Sequence, residues 1–600
     1  MRAFEHFPNL VSMFFTRAEE QGNKPFLWRK QDGRWHSLSW AETAEQVARL
    51  AAALRANGIK KGDRVVLVSE NRPEFCIADL AIMAAGAISV PTYTTNTARD
   101  HEHIMTDSGA RAVIVSTAKL AKPLLPAVLR SNAKFVIAME PLGQTQLETL
   151  DVYQWDALLE AHASDPNASV ACCIKAQTAM RADPACIIYT SGTGGAPRGV
   201  MQHHGAILCN VDGCIDLIAS DFGWGDEIFL SFLPLSHAYE HSGGQFLPIG
   251  LGAQIYYAEG LDKLSSNIEE VRPTIMVVVP RLFEILRTRV LKAVEKQGKL
   301  PAFLLSQALR IGDKEMGAGK LPVWEWPVRM LVDRTIRPKV QSRFGGRIKA
   351  LVSGGAPLTP EVGNFFHALG LTLLQGYGQT EAGPVISVTR PATGLNMDTV
   401  GTPLKNVEVK IAQDGEILVR GELVMQGYWR NPEESARVLN DDWLHTGDIG
   451  EFDEGGRLRI TDRKKDLIVN DKGENVAPQK IEGMLTLQDE IAQAMVSGDK
   501  RPYLVGVIVP EAEWMNAWAK SNGKENSLDT LKSDKAFHAA LRICVDRVNK
   551  ELSVTERVRQ FIIADTPFTI ENEMLTPSIK IRRHMIRTAY QDRLNALYKS

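Results

Sequence analysis

The densest run of potential chemistry in the 600-residue sequence is Tyr189-Thr190-Ser191-Gly192-Thr193-Gly194-Gly195-Ala196-Pro197-Arg198-Gly199-Val200, which directly follows an apolar stretch. Glycines let a backbone approach an anion closely, hydroxyls donate hydrogen bonds and a guanidinium adds positive charge, so this composition suits a phosphate cradle. Standing alone, the same run also reads as an ordinary flexible turn. It is not a Walker A loop, which needs Gly-x4-Gly-Lys-Ser/Thr, because Val200 follows the Gly194 to Gly199 spacing. Two other clusters carry less. His101 and His103 flank Glu102 at positions that a helix points apart, which disfavours a shared metal. Cys172-Cys173 lacks CxxC spacing and reads as packing.

Seven further segments follow or flank this loop in a fixed order: Leu233-Pro234-Leu235-Ser236-His237-Ala238-Tyr239-Glu240, Ser353-Gly354-Gly355-Ala356-Pro357, Gln375-Gly376-Tyr377-Gly378-Gln379-Thr380-Glu381, Trp443-Leu444-His445-Thr446-Gly447-Asp448, Asp462-Arg463-Lys464-Lys465-Asp466, Lys472-Gly473-Glu474-Asn475-Val476-Ala477-Pro478 and Leu575-Thr576-Pro577-Ser578-Ile579-Lys580-Ile581-Arg582-Arg583. Together they cover nearly the whole chain. In this order they resemble the adenylate-forming (AMP-binding) superfamily of acyl-CoA synthetases, luciferases and peptide-synthetase adenylation domains. The likeness is greatest to long-chain fatty acyl-CoA synthetases, which the Pro280-Arg281-Leu282-Phe283-Glu284 segment also resembles. The loop departs from the usual form, with Gly194 in place of a Thr and Arg198 in place of a Lys, exchanges that should alter phosphate handling.

The resemblance implies a role for each motif. Thr190, Ser191, Gly192, Thr193, Gly194, Gly195 and Arg198 would hold phosphate, and Gly355, Ala356 and Pro357 would form the wall against which adenine lies, next to Gln375 and Gly376. Tyr377 would stack on the base, Thr380 would bind the α-phosphate and Glu381 would ligate Mg2+; an aromatic face, a hydroxyl and a hard carboxylate suit those partners. Asp448 and Arg463 would hold the ribose, and His237, Tyr239 and Gly354 would border the acyl pocket. Asp462 would be the pivot of a hinge, Gly473 and Glu474 would line the coenzyme A tunnel, and Lys580 would be the mobile catalytic lysine. ATP, Mg2+ and coenzyme A are thus the implied cofactor and co-substrates of a fatty acid-CoA ligase (AMP-forming), working through an acyl-AMP intermediate. Medium-chain, aryl and branched acids stay open as substrates. So do three other readings: a fatty acyl-AMP ligase loading a carrier protein, a non-enzymatic fatty-acid binding or uptake protein, and a luciferase-like oxidase.

The elements that must position these motifs follow from periodicity. Apolar residues at helical spacing over 40–54, 75–85 and 120–129 alternate with short apolar runs at 65–68, 112–115 and 135–138, which implies βαβ units and largely parallel sheets. Further strand-like runs lie at 186–189, 228–232, 255–257, 275–279, 350–352 and 371–374. After about residue 391 the pattern turns antiparallel, at 407–411, 416–419 and 458–460, with Asp414-Gly415 and Gly455-Gly456 as turns. The expected fold is therefore α/β: a large N-terminal multi-sheet body over 1–461, containing a small β-rich subdomain over about 392–461, plus a small mobile α+β C-terminal cap over 462–600. Polar stretches at 313–320 and 520–535 read as surface loops.

Composition excludes several alternatives. With 69 Lys+Arg against 71 Asp+Glu, the net charge of −2 gives no global reason to expect nucleic acid or an anionic membrane as a partner. Seven cysteines without paired spacing argue against a disulfide framework and fit a reducing cytoplasm. The N-terminus lacks a signal-peptide pattern, and the longest apolar passage, over 76–90, is shorter than a spanning helix. Peripheral contact with the inner face of a membrane stays open, as does oligomeric state.

Overall fold

The computed structural model describes residues 4–143, 150–190, 197–296, 298–318, 322–464, 468–471, 475–576 and 581–598. Runs such as Arg64–Val68, Ala112–Val115 and Phe135–Ala138 are apolar at almost every position because they are covered on both faces, as central parallel strands are. They form an eight-stranded sheet in the order Gly427–Tyr428, Arg198–His203, Pro184–Thr190, Ile88–Thr92, Arg64–Val68, Ala112–Val115, Phe135–Ala138, Asp151–Gln154. A nine-stranded sheet runs Thr402–Pro403, Val385–Val388, Leu373–Gly378, Ala350–Ser353, Ile275–Val278, Ile228–Ser231, Gln254–Tyr257, Pro25–Gln31, Arg34–Ser39, parallel throughout except at its edges.

One apolar core joins these sheets through helices Leu10–Gln21, Trp40–Ala56, Pro73–Ala84 and His204–Asp221. Helix Trp40–Ala56 starts where Ser39 and Glu42 satisfy each other's backbone N–H groups in a capping box. Helix Pro73–Ala84 is buried on all sides, which is why its apolar positions show no stripe. The antiparallel region predicted after residue 391 is a five-stranded sheet of Glu408–Ile411, Glu416–Arg420, Trp443–Phe452, Leu439–Asn440 and Leu458–Arg463.

Beyond Arg463 the chain forms a unit of its own. Strands Ile491–Ser497, Leu504–Pro510 and Val558–Ile563 make a three-stranded sheet covered by helix Lys535–Asn549 on one face and Arg583–Ala596 on the other. Its contacts with the body include Lys292 Nζ to Glu513 Oε2 at 2.9 Å and Leu487 against the apolar cluster under the nine-stranded sheet. Two loop expectations fail: within 520–535 residues Leu528–Leu531 form a short helix, and residues 313–318 are the last turns of helix Lys299–Ala318. Their charges are held by partners, Lys314 by Glu325 and Glu315 by Arg329 and Arg337, so polarity there marks a helix surface. All seven cysteines are free, and no helix among the described residues is long and apolar enough to cross a membrane.

Candidate active site

Parallel α/β sheets gather ligand-binding groups where their strands end at the carboxyl side. Ile228–Ser231, Ala350–Ser353 and Leu373–Gly378 end together here, and the predicted motifs leave from those ends. Ser353 pairs in register with Gln375. Ser353 Oγ and Gln375 Oε1 are buried polar atoms without a hydrogen-bond partner in the protein, which leaves both able to take a further polar group. Gly355, at φ +81°, has open space where a side chain would stand, while Gly376 packs at ordinary distances. Ala356 and Pro357 follow and lead to helix Pro360–Ala368.

Two clusters flank this edge. In the first, Tyr377 at the end of its strand donates its hydroxyl to Asp448 Oδ2 at 2.8 Å, and Arg463 Nε donates to Asp448 Oδ1 at 2.8 Å. Asp448 and Arg463 are cross-strand neighbours in the five-stranded sheet, so register alone brings them together; Asp462 pairs with Ile449 beside them. The Asp448 backbone N–H is also tied to Thr446 Oγ1, which fixes the carboxylate's origin. Burial, reinforced by the Asp448 carboxylate, raises the Tyr377 phenol well above its ordinary pKa, so it stays a donor.

The second cluster surrounds Thr380 and Glu381, which sit in a single 3-10 turn. Gln202 Nε2 donates to the Thr380 carbonyl at 2.7 Å, and the Tyr428 hydroxyl donates to Glu381 Oε1 at 2.8 Å. Strand Arg198–His203 supplies Gln202 and pairs with Gly427–Tyr428, so one strand pair grips this turn from two sides. Thr190 and Arg198 face each other at the mouth of the glycine-rich hairpin. Arg198 is engaged: its guanidinium lies over the Tyr428 ring and forms an ion pair with Glu434. The base of the hairpin is braced by Tyr189, whose hydroxyl donates to Asp107 Oδ2 at 2.6 Å, and by His103, whose Nε2 lies 2.8 Å from the Pro197 carbonyl. His101, by contrast, is buried, and no group of three or more metal-ligating side chains occurs among the described residues.

The predicted acyl-pocket residues also converge. His237 caps the short helix Ala238–Glu240 by accepting from the Tyr239 N–H, and the Tyr239 hydroxyl donates to the Val352 carbonyl at 2.9 Å. The Tyr239 ring lies so close to Gly354 that a Cβ there would sit 2.8 Å from Tyr239 Cζ. Behind them Glu240 is fully enclosed; it accepts from Ser231 Oγ at 2.6 Å, and burial pushes its carboxyl up to about 8. Ser191, Gly192, Thr193, Gly194, Gly195, Gly473, Glu474 and Lys580 lie outside the described residues; Leu575 and Ile581, on either side of Lys580, form an antiparallel bridge. Sequence reasoning missed Tyr428, Gln202 and Glu434, and nothing in the sequence links them to Glu381 or Arg198. As for Mg2+, Glu381 offers one hard carboxylate whose second oxygen is left open by Tyr428, a donor set that fits a cation carried largely by nucleotide phosphates.

Solved structures share the whole architecture. The adenylation domain of a carboxylate reductase from Mycobacterium chelonae superposes with a TM-score of 0.77 at 22% identity, over 99% of this chain and 92% of that one. A benzoate CoA ligase from Burkholderia xenovorans gives 0.70 at 21% identity, over 97% and 100%. The class that the shared fold defines is a two-part architecture, a large multi-sheet body followed by a small C-terminal unit. Residues 14–429 match the model of the AMP-binding enzyme family and residues 465–600 that of the AMP-binding enzyme C-terminal domain, and the chain belongs to this family. Among its relatives are the long-chain-fatty-acid–CoA ligase FadD15 of Mycobacterium tuberculosis, 31% identical over 98% of this chain and 97% of the relative, and long chain acyl-CoA synthetase 1 of Arabidopsis thaliana, 29% identical over 100% and 92%.

Proposed function

We propose that this protein is an ATP-dependent ligase that activates a fatty acid, long-chain by its relatives, and transfers it to coenzyme A in the cytoplasm. What carries the reading is the full-length likeness to relatives named as long-chain-fatty-acid–CoA ligases, joined to the convergence of Tyr377, Asp448, Arg463, Thr380 and Glu381 at one sheet edge. A carboxylate is a poor electrophile. In the first half-reaction one of its oxygens bonds to the α-phosphorus of ATP, the bond from that phosphorus to the bridging oxygen breaks, and pyrophosphate leaves. In the second, the thiol sulfur of coenzyme A bonds to the acyl carbon, the bond to AMP breaks and the thiol proton passes to solvent.

The side chains contribute positioning and electrostatics. Tyr377 presents its ring to the base, Asp448 accepts from the ribose hydroxyls with Arg463 beside it, and Gly355, Ala356, Pro357, Gln375 and Gly376 shape the adenine slot. Thr380, Thr190 and the glycine-rich loop donate to phosphate oxygens, with Arg198 adding charge from the mouth of the hairpin. Glu381 would hold Mg2+, which would supply charge neutralisation at the phosphates. His237, Tyr239 and Gly354 form the acyl wall. Lys580 serves the first half-reaction, and rotation of residues 462–600 about Asp462 brings Gly473 and Glu474 to the thiol in the second.

Pyrophosphate release over acids of increasing chain length, with and without coenzyme A, tests the reading. Long-chain acids should support release, and thioester should appear only with coenzyme A. Lys580→Ala should slow release by about 100-fold; release at the wild-type rate would remove Lys580 from the mechanism. Release without thioester would instead favour a carrier-loading ligase.

A further inference from the structure

Three helices at one side of the body, Pro280–Lys296, Lys299–Ala318 and Trp326–Arg343, carry an outer surface that the fold does not need. Val328, Ile336 and Val340 of the last helix pack inward on the core around Val332. On its opposite face Trp326 and Met330 are one turn apart, Leu331 lies beside them, and all three are exposed, Trp326 at 57%. Immediately before this helix, Val323 and Trp324 are 75% and 78% exposed. The cause is local: Glu325, between the two tryptophans, is buried and held by Arg310 Nη1 at 2.7 Å and by Lys314, so the turn is anchored at its middle residue and both indoles are pushed outward. Leu300 and Phe303 continue the apolar surface on the neighbouring helix. Water-exposed tryptophans in such number mark an interaction surface.

Charge indicates what covers it. Residues 280–343 contain 14 Lys and Arg against 6 Asp and Glu, a net +8 in a chain whose total is −2. Arg334 and Lys339 are exposed on the same helix as Trp326. A second copy docking about a two-fold axis would set this +8 segment against itself. An anionic surface that is also apolar beneath satisfies both features, since indoles settle at the headgroup level and cations meet the phosphates. We propose that Val323, Trp324, Trp326, Met330 and Leu331, with Arg334 on the same side of the helix and the net positive charge of the surrounding segment, dock this protein peripherally on an anionic phospholipid bilayer. The inference goes beyond the ligase reading and does not depend on it, because docking is measured without substrate.

The test is co-sedimentation of the full chain with vesicles of phosphatidylcholine alone or containing about one third phosphatidylglycerol, at low and physiological salt. Wild type should bind the anionic vesicles about tenfold or more tightly than the neutral ones, and less tightly as salt rises. Trp324→Ala with Trp326→Ala should weaken that binding by about tenfold while leaving the thermal melt unchanged, because neither ring is buried. Arg334→Glu with Lys339→Glu should weaken it without touching the apolar residues. The proposal is overturned by absent vesicle binding, by equal binding of the double tryptophan variant, or by a dimer that this variant dissolves while vesicles bind neither form.

Discussion

Tyr428→Phe keeps a ring beneath Arg198 and deletes only the hydroxyl that Glu381 accepts from. With the Glu381 carboxylate less well oriented, the Mg2+ concentration for half-maximal pyrophosphate release should rise about tenfold, the equivalent of one lost hydrogen bond to a charged group. A titration of Mg2+ reads this directly. Asp448→Ala removes the acceptor of both Tyr377 and Arg463; with Arg463 partly exposed, the cost should be about 2 kcal/mol in urea unfolding, accompanied by a rise in the KM for ATP. Glu240 gives a pH prediction. Its carboxyl is raised to about 8 from an ordinary 4.5, so between those values the folded state holds a proton that the unfolded chain has released, and stability falls as pH rises across that window. Glu240→Gln has no such slope, and unfolding from about pH 5 to pH 8 should show the variant gaining about 3 kcal/mol on wild type. The motifs that hold Tyr377, Thr380, Glu381, Asp448 and Arg463 were legible in the sequence through their resemblance to a known family, and the fold brings these residues together. Tyr428 was not: it reaches Glu381 across 47 residues, and Glu434 reaches Arg198 across 236, through a strand pairing that leaves no local trace.

Among the elements, the hairpin of Leu373–Gly378 and Val385–Val388 sets where the Thr380–Ala382 turn lies. Gly378 is required by close approach, since a Cβ there would stand 1.9 Å from the Pro384 carbonyl oxygen, a backbone atom with nowhere to go. Gly378→Ala should cost about 3 kcal/mol and displace Glu381, seen as a lower thermal midpoint together with lost pyrophosphate release. The parallel strands were legible as short apolar runs, because burial on both faces leaves no polar positions. Strand Trp443–Phe452 was hidden for the opposite reason. Its inward positions Leu444, Thr446, Asp448 and Gly450 alternate correctly, but half of them are polar, so hydrophobic periodicity misses a strand whose buried face is a functional site. The last turns of helix Lys299–Ala318 were misread because their charges are paired across helices, which composition does not reveal.

The molecule as a whole has one extended body and a C-terminal unit with separate apolar clusters, and its contacts with the body include a surface ion pair and one partly buried leucine. Exposed pairs such as Lys292–Glu513 contribute at most about 1 kcal/mol, so calorimetry should show two transitions, one for each part. A non-hydrolysable acyl-adenylate analogue should raise the transition of the body, since a ligand stabilises the state that binds it. The near-neutral total charge gave no hint of the molecule's internal asymmetry: residues 280–343 carry +8, which leaves −10 on the remainder. That asymmetry gives the tryptophan-bearing segment a charge opposite in sign to the molecule's total. Within a Debye length, about 8 Å at physiological salt, a charged boundary exerts a torque on the molecule before any atoms touch, so the tryptophan-bearing end is turned toward that boundary during approach and the encounter begins in a selected orientation.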